Sequence, residues 1–334
     1  MATLKDVAQR AGVSEGTASM VINGKAGPKK KTREIVLQAA RELKYVPNSS
    51  ARNLAMKEST TVGLVVTDIE NPFFGSITKY VSYFLGRRDQ SMILSVSNDD
   101  AKTEDSILGN FVQQGVRAII IAPTQLSRRN TNTLADVHDH GIPIVFISSY
   151  YENFSAPRVL TDYSHGSFEL TNYLIDTGHR DIRFLVSHDV KAPIARERIE
   201  GFLRSHEEQS IPPHHRAIHR CPHPDYESGY REAQRVLEKE KPDAIITIND
   251  VMALGAKRAI KERGLAVPDD ISVAGYDDVI FASLSEIPLT TVRQNIPEIA
   301  SAAVDLLFMP NLDIETDIRI PPELVIRKST RAKR

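Results

Sequence analysis

The chain has 334 residues, 41% hydrophobic and 25% charged, with one cysteine and no tryptophan. That length supports two or three domains with substantial cores. No run approaches ~20 apolar residues, so no transmembrane helix is expected; no apolar signal segment opens the chain, and the lone Cys221 excludes an internal disulfide and fits a reducing cytoplasm. The net charge of −1 conceals an asymmetry: residues 1–60 carry eleven Lys/Arg against five Asp/Glu, a net +6, which leaves −7 on the rest. A small basic head on a mildly acidic body suits a polyanion binder whose body stays off the polyanion.

In chain order, Thr3 is placed to cap a helix whose inward residues are Leu4, Val7, Ala8 and Ala11, with Asp6 completing a capping box. Gly12 supplies a turn, because glycine enters positive φ without steric cost. Ser14 caps a second helix that keeps Glu15, Gly16, Thr17 and Ser19 outward and Val13, Ala18, Val21 and Ile22 toward its partner: a helix-turn-helix pattern. A third helix is expected from Thr32 to about Lys44, with Ile35 and Leu43 joining Leu4, Val7 and Val21 in a minimal core. Pro47 stops that unit. Residues 49–56 read as a short hinge helix that folds only when something buries it.

From Thr61 the texture changes to apolar runs alternating with helical patterns. Strands are expected at 62–67, 92–96, 118–122, 144–148, 158–162, 182–186, 244–248 and 271–275. Helices are expected at 73–87, 104–114, 165–177, 195–209, 228–238, 252–263 and 296–308. Continuous Val/Ile/Leu strands between helices mean parallel sheets covered on both faces. Eight strands exceed one comfortable sheet, so two lobes are expected, with a seam near Asp162 and a late segment, 289–325, crossing back.

Five ordered stretches resemble the lactose-repressor/galactose-repressor (LacI/GalR) type of bacterial transcription regulator. They are Thr3–Ala8 through Asn23; Tyr45–Asn48 with Ala51–Ala55; Val62–Val66 with Asp68–Phe74; Asn249–Gly255; and Gly275–Asp278 with Pro288–Val292. The resemblance implies an all-α helix-turn-helix domain (1–47), a hinge helix and linker (48–60), and an α/β two-lobe core like a periplasmic binding protein (61–330). The N-lobe would take about 61–161 and 292–322, the C-lobe about 162–291 and 323–330. It further implies a cytoplasmic homodimer on a pseudo-palindromic double-stranded DNA operator, most simply a repressor, controlled by a small-molecule effector such as a sugar or sugar derivative. No membrane, cofactor, metal or catalytic residue is expected.

Carried over residue by residue, Glu15, Gly16 and Met20 stand at base-reading positions. Thr3, Ser14, Thr17, Ser19, Asn23 and Lys29 stand at positions that hold the helices on DNA. Met20 departs from the family's frequent arginine and offers a thymine methyl an apolar contact instead of a guanine donor. Lys29 replaces a helix-capping serine. Leu54 matches a residue wedged into the minor groove, with Ala51 and Ala55 small enough for close hinge pairing.

In open α/β sheets ligands sit beyond the carboxyl ends of strands, so Asn71, Phe73, Phe74, Asp162, Arg198, Asn249, Asp277 and Gln294 are the effector candidates. Phe73 or Phe74 suits stacking on a sugar face, the other core packing. Arg198 matches a family arginine that grips hydroxyls or a carboxylate, and Asn249 is equally a helix cap. The run His214, His215, His219, Cys221, His223 lacks zinc spacing and lies among prolines, as a surface loop entering a strand. Ser187-His188-Asp189 are adjacent and cannot form a relay. Two alternatives share the core fold: a regulator answering to a phosphorylated carrier protein, and a transport-type sugar-binding protein, against which the basic head argues.

Overall fold

The computed structural model describes residues 2–24, 26–45 and 59–332, and the chain divides into two compact units at Ser59/Thr60. The first unit holds α1 (Leu4–Ala11), α2 (Glu15–Ile22) and α3 (Lys30–Glu42). Thr3 and Asp6 close a capping box, and Gly12 ends α1 at φ 67°. Val7, Ala8, Ala18, Val21, Val36, Ala39 and Ala40 form the core. Two expectations are corrected. The third helix starts two residues early, at Lys30, and Ile35 is 43% exposed. The apolar stripe runs through Val36, Ala39, Ala40 and Leu43, and Ile35 lies about 100° of helical rotation away from Val36. The expected hinge helix, with Ala51, Leu54 and Ala55, falls outside the described residues.

The second unit contains two six-stranded sheets. Its elements are β1 (Thr61–Val66), α4 (Pro72–Gly86), β2 (Ser91–Val96), α5 (Ala101–Gln114), β3 (Ala118–Ile121), α6 (Asn132–Asp139), β4 (Ile144–Ile147), β5 (Arg158–Thr161), α7 (Tyr163–Asp176), β6 (Ile182–Ser187), α8 (Pro193–Glu208), β7 (Arg216–Cys221), α9 (Tyr226–Lys239), β8 (Ala244–Thr247), α10 (Asp250–Glu262), β9 (Ser272–Asp277), α11 (Ile280–Leu284), β10 (Thr290–Arg293), α12 (Ile296–Leu307), β11 (Asp317–Ile320) and β12 (Glu323–Val325). The first sheet runs β11-β5-β4-β3-β1-β2, all parallel. The second runs β12-β10-β9-β8-β6-β7, parallel except for β12 against β10.

Every residue of β3, β4, β6, β8 and β9 is buried, as strands covered on both faces must be. The chain passes between sheets three times, after β5, β10 and β11. β10 lies wholly in the second sheet, so the second passage follows Arg293, not the expected 291/292 boundary. β10, β11 and β12 were not foreseen, and β7 only as the strand that the histidine-containing loop enters. β7 reads Arg-Ala-Ile-His-Arg-Cys, and at the sheet edge only Cys221 is fully buried. β10, β11 and β12 are three or four residues long, and the last two are also edge strands.

Candidate functional site

In the first unit, α2 presents Glu15, Gly16 and Met20 to solvent, Met20 38% exposed. Ser14 caps it: Thr17 N–H donates to Ser14 Oγ at 3.2 Å, and the two hydroxyl oxygens lie 2.9 Å apart. Asn23 Nδ2 donates to Ser19 Oγ at 3.2 Å, holding the far end of the helix. Hydrogen bonds from Thr3 hold the Asp6 carboxyl below its ordinary range. Lys29 occupies the cap position of α3 without a side-chain cap bond, and it is exposed.

In the second unit, a cavity of about 300 Å³ opens where the C-terminal ends of strands from both sheets face one another. That is the ligand position the doubly wound topology dictates. Seven of the eight effector candidates line it: Asn71, Phe73, Phe74, Arg198, Asn249, Asp277 and Gln294. Asp162 does not. It caps α7 by accepting His165 N–H at 3.0 Å, and its neighbour Tyr163 faces the cavity instead.

Arg198 is the centre of the site. Its guanidinium lies between the rings of Tyr163 and Tyr276, 4.5 and 4.2 Å from their centroids, in the attractive cation–π range. Nη2 lies 3.5 Å from Asp277 Oδ1. Gln294 bridges the sheets: its Nε2 donates to Asp277 Oδ1 at 2.6 Å and its Oε1 accepts Thr161 Oγ1–H at 2.6 Å. Burial pushes the Asp277 carboxyl up to about 6, against the opposing pull of Arg198 and Gln294. Asp277 also holds φ 109°, a conformation most side chains avoid.

Asp250 fixes the loop that follows Asp277. Its carboxylate accepts Val279 N–H at 2.8 Å and Thr291 Oγ1–H at 2.6 Å. Complete burial, then the Asp277 charge, raises its own carboxyl well above the usual range. Gly275 makes this contact possible, since a Cβ there would stand 2.2 Å from Asp250 Oδ1.

Asn249 lines the cavity with both polar ends engaged, capping Met252 N–H at 2.9 Å and donating to Pro224 O at 2.7 Å. Phe73 packs into the first lobe's core; Phe74 is partly buried against it, edge-to-face at 5.2 Å between centroids. Asn98, Asp99, Gln125, Ser148, Ser187 and His223 also line the cavity and were missed. The first four follow β2, β3 and β4, so the strand-end rule, applied to every strand, would have found them. Among the described residues no cluster of three or more His, Cys, Asp or Glu side chains is placed to hold a metal. His219 Nδ1 lies 3.2 Å from Glu232 Oε1, and burial pushes the Cys221 thiol up to about 12.

Comparison with known proteins bears on both units. The model of the lacI family of bacterial regulatory proteins matches residues 3–48, and the periplasmic binding protein-like domain matches 171–330. The HTH-type transcriptional repressor PurR of Histophilus somni (strain 129Pt) is 34% identical, covering 99% of each chain. The lac repressor dimer bound to operator and the anti-inducer ONPF is 29% identical, with TM-score 0.87 over 99% of each chain. A LacI family transcriptional regulator from Enterococcus faecium with bound ribose is 25% identical, with TM-score 0.72 over 82% of this chain and 100% of that one.

Proposed function

The chain belongs to the lacI family of bacterial regulatory proteins, and from that premise we propose that it is a cytoplasmic homodimeric repressor whose hold on a pseudo-palindromic operator is set by a sugar or sugar derivative bound between its lobes. The observation that carries this reading is the pairing, in one chain, of a capped helix-turn-helix in a basic segment with a cleft built around Arg198. In DNA recognition α2 enters the major groove, with Glu15, Gly16 and Met20 toward base edges and Ser14, Thr17, Ser19, Asn23, Thr3 and Lys29 toward the backbone. Ala51, Leu54 and Ala55 would serve the minor groove.

Effector chemistry follows from the cleft. Arg198, Asp277 and Gln294 hold one another in place at the cavity wall and offer donors and acceptors, and Phe74 offers an apolar face, a combination suited to vicinal hydroxyls on a sugar ring. The ribose bound to the Enterococcus regulator supports the same class. A ligand that closes the lobes alters operator affinity only by its differential affinity for the two states.

Binding, not catalysis, is the reading. Asp189, next to Ser187 and His188, spends its carboxylate on the Ser127 and Lys191 amides at 2.7 and 3.0 Å. Exposed Ile280, Phe281 and Leu284 on α11, with exposed Tyr83 and Leu94 on the first lobe, are consistent with burial against a second copy. No described helix is long and apolar enough to cross a membrane.

Arg198→Ala tests the reading. Operator binding, followed by salt-dependent gel shift, should persist while the response to any sugar that shifts the parent protein disappears. A retained response would refute the assignment.

A further inference from the structure

Resting on the reading of the cleft as the effector site, we infer that it accepts uncharged polyhydroxy ligands and rejects their phosphorylated or carboxylated counterparts, with Asp68, Asp99, Asp225 and Asp277 setting that choice. Those four carboxylates line the cavity against one permanent cation, Arg198. That cation is already committed to Asp277 and to two tyrosine rings. Asp68, Asp99 and Asp225 have no ion pair among the described residues. Each instead accepts a backbone amide, from Glu70, Gln125 and Ser228, at 2.7, 2.9 and 2.7 Å. A phosphate entering the cleft would meet uncompensated negative charge from both lobes, in a partly desolvated space where repulsion exceeds its value in water.

Besides His223, which also lines the cavity, helix N-termini are a source of positive potential, since α4, α9 and α10 all begin there. Each is closed by its own side chain: Asn71 takes Phe73 N–H, Asp225 takes Ser228 N–H, and Asn249 takes Met252 N–H. α8 is the exception. It begins at Ala192-Pro193 without a side-chain cap, and Ile194 and Ala195 line the cavity. One open helix end supplies about half a positive charge, which does not balance the three carboxylates left without an ion pair but is enough to orient a hydroxyl oxygen.

Two buried groups can be satisfied by a neutral partner. Ser148 Oγ and Arg198 Nε have no hydrogen-bond partner, and each residue is 8% exposed. A serine hydroxyl both donates and accepts, and a guanidinium N–H needs only an acceptor lone pair. A ligand hydroxyl satisfies either without bringing charge.

The test uses the full chain in a thermal-shift titration with matched probes: ribose and ribose 5-phosphate, glucose and glucose 6-phosphate, cellobiose and cellobionate. At least one neutral probe should raise the melting temperature, and its anionic partner should bind at least about tenfold more weakly. Asp99→Asn combined with Asp68→Asn should narrow that gap by about tenfold. Asp225→Asn, which keeps a competent helix cap, should narrow it more modestly if the double variant does not fold. An anionic probe that binds as well as its neutral partner overturns the inference and leaves the cleft reading standing. A folded variant with undiminished discrimination overturns the role of the carboxylates. Silence from neutral and anionic probes alike overturns the cleft reading, and this inference with it.

Discussion

Replacing Asp277 with asparagine should stabilise the two-lobe unit at neutral pH and leave it unchanged in acid. The carboxyl titrates at about 6 in the folded chain against an ordinary 3.8. Between those values the folded chain keeps a proton that the unfolded chain releases, so stability falls as pH rises through the window and the full loss stands above about 6. That difference corresponds to about 3 kcal/mol. Asparagine copies the neutral acid's shape, carries no charge to desolvate, and tolerates positive φ better than most residues. The gain should therefore reach about 3 kcal/mol above pH 7 and shrink below about 1 kcal/mol near pH 4. For a unit of about 275 residues, with about 2.1 cal/mol/K of unfolding entropy per residue, this is about 5 °C in melting temperature. Differential scanning calorimetry at pH 4 and pH 7.5 reads both numbers. A gain independent of pH, or a variant less stable at pH 7.5, would refute the account of Asp277 as a carboxylate held at a cost.

Gly275→Ala should lower the urea midpoint by the equivalent of about 1–3 kcal/mol, because the new methyl meets Asp250 and Leu289 at 2.2 and 2.9 Å; an unchanged midpoint would mean that the Asp250 loop yields easily. Met20→Arg should move operator preference toward guanine at one symmetric pair of positions, read by selection from a randomised DNA pool. An unaltered profile would show that residue 20 does not read bases.

The apolar runs carried most of the core fold, because strands buried on both faces are built mainly from apolar residues. What the runs could not carry were the edges. β11 alternates charged with apolar residues and β7 mixes the two, as partly exposed edge strands can, and such patterns also suit loops. Helical phase posed a different difficulty. Ile35 and Val36 are adjacent and similarly apolar, and only the position of α1 and α2 against α3 decides which turns inward. In the cleft, strand ends located Asn71, Asn249 and Asp277 from local pattern, while Arg198 rested on family resemblance and Gln294 on its place at the late crossover. Tyr163 and Tyr276, which cover Arg198, carry no local signal, since a tyrosine next to a strand end is ordinary core material. Asp162 went astray by one residue: the position that ends the strand also begins a helix, and capping took its side chain.

The three passages between sheets bear on how the chain is made. The first sheet lacks its edge strand β11 until residue 320 has emerged from the ribosome, and the second lacks β12 until residue 325. Ser329 then adds a bond from its hydroxyl to Val273 O at 2.6 Å and accepts Thr290 N–H at 2.8 Å. Each lobe is thus completed by segments distant in sequence, a topology with slow, non-local closure. The first lobe is finished only after nearly all of the second has been made, and residues 323–330 then complete the second.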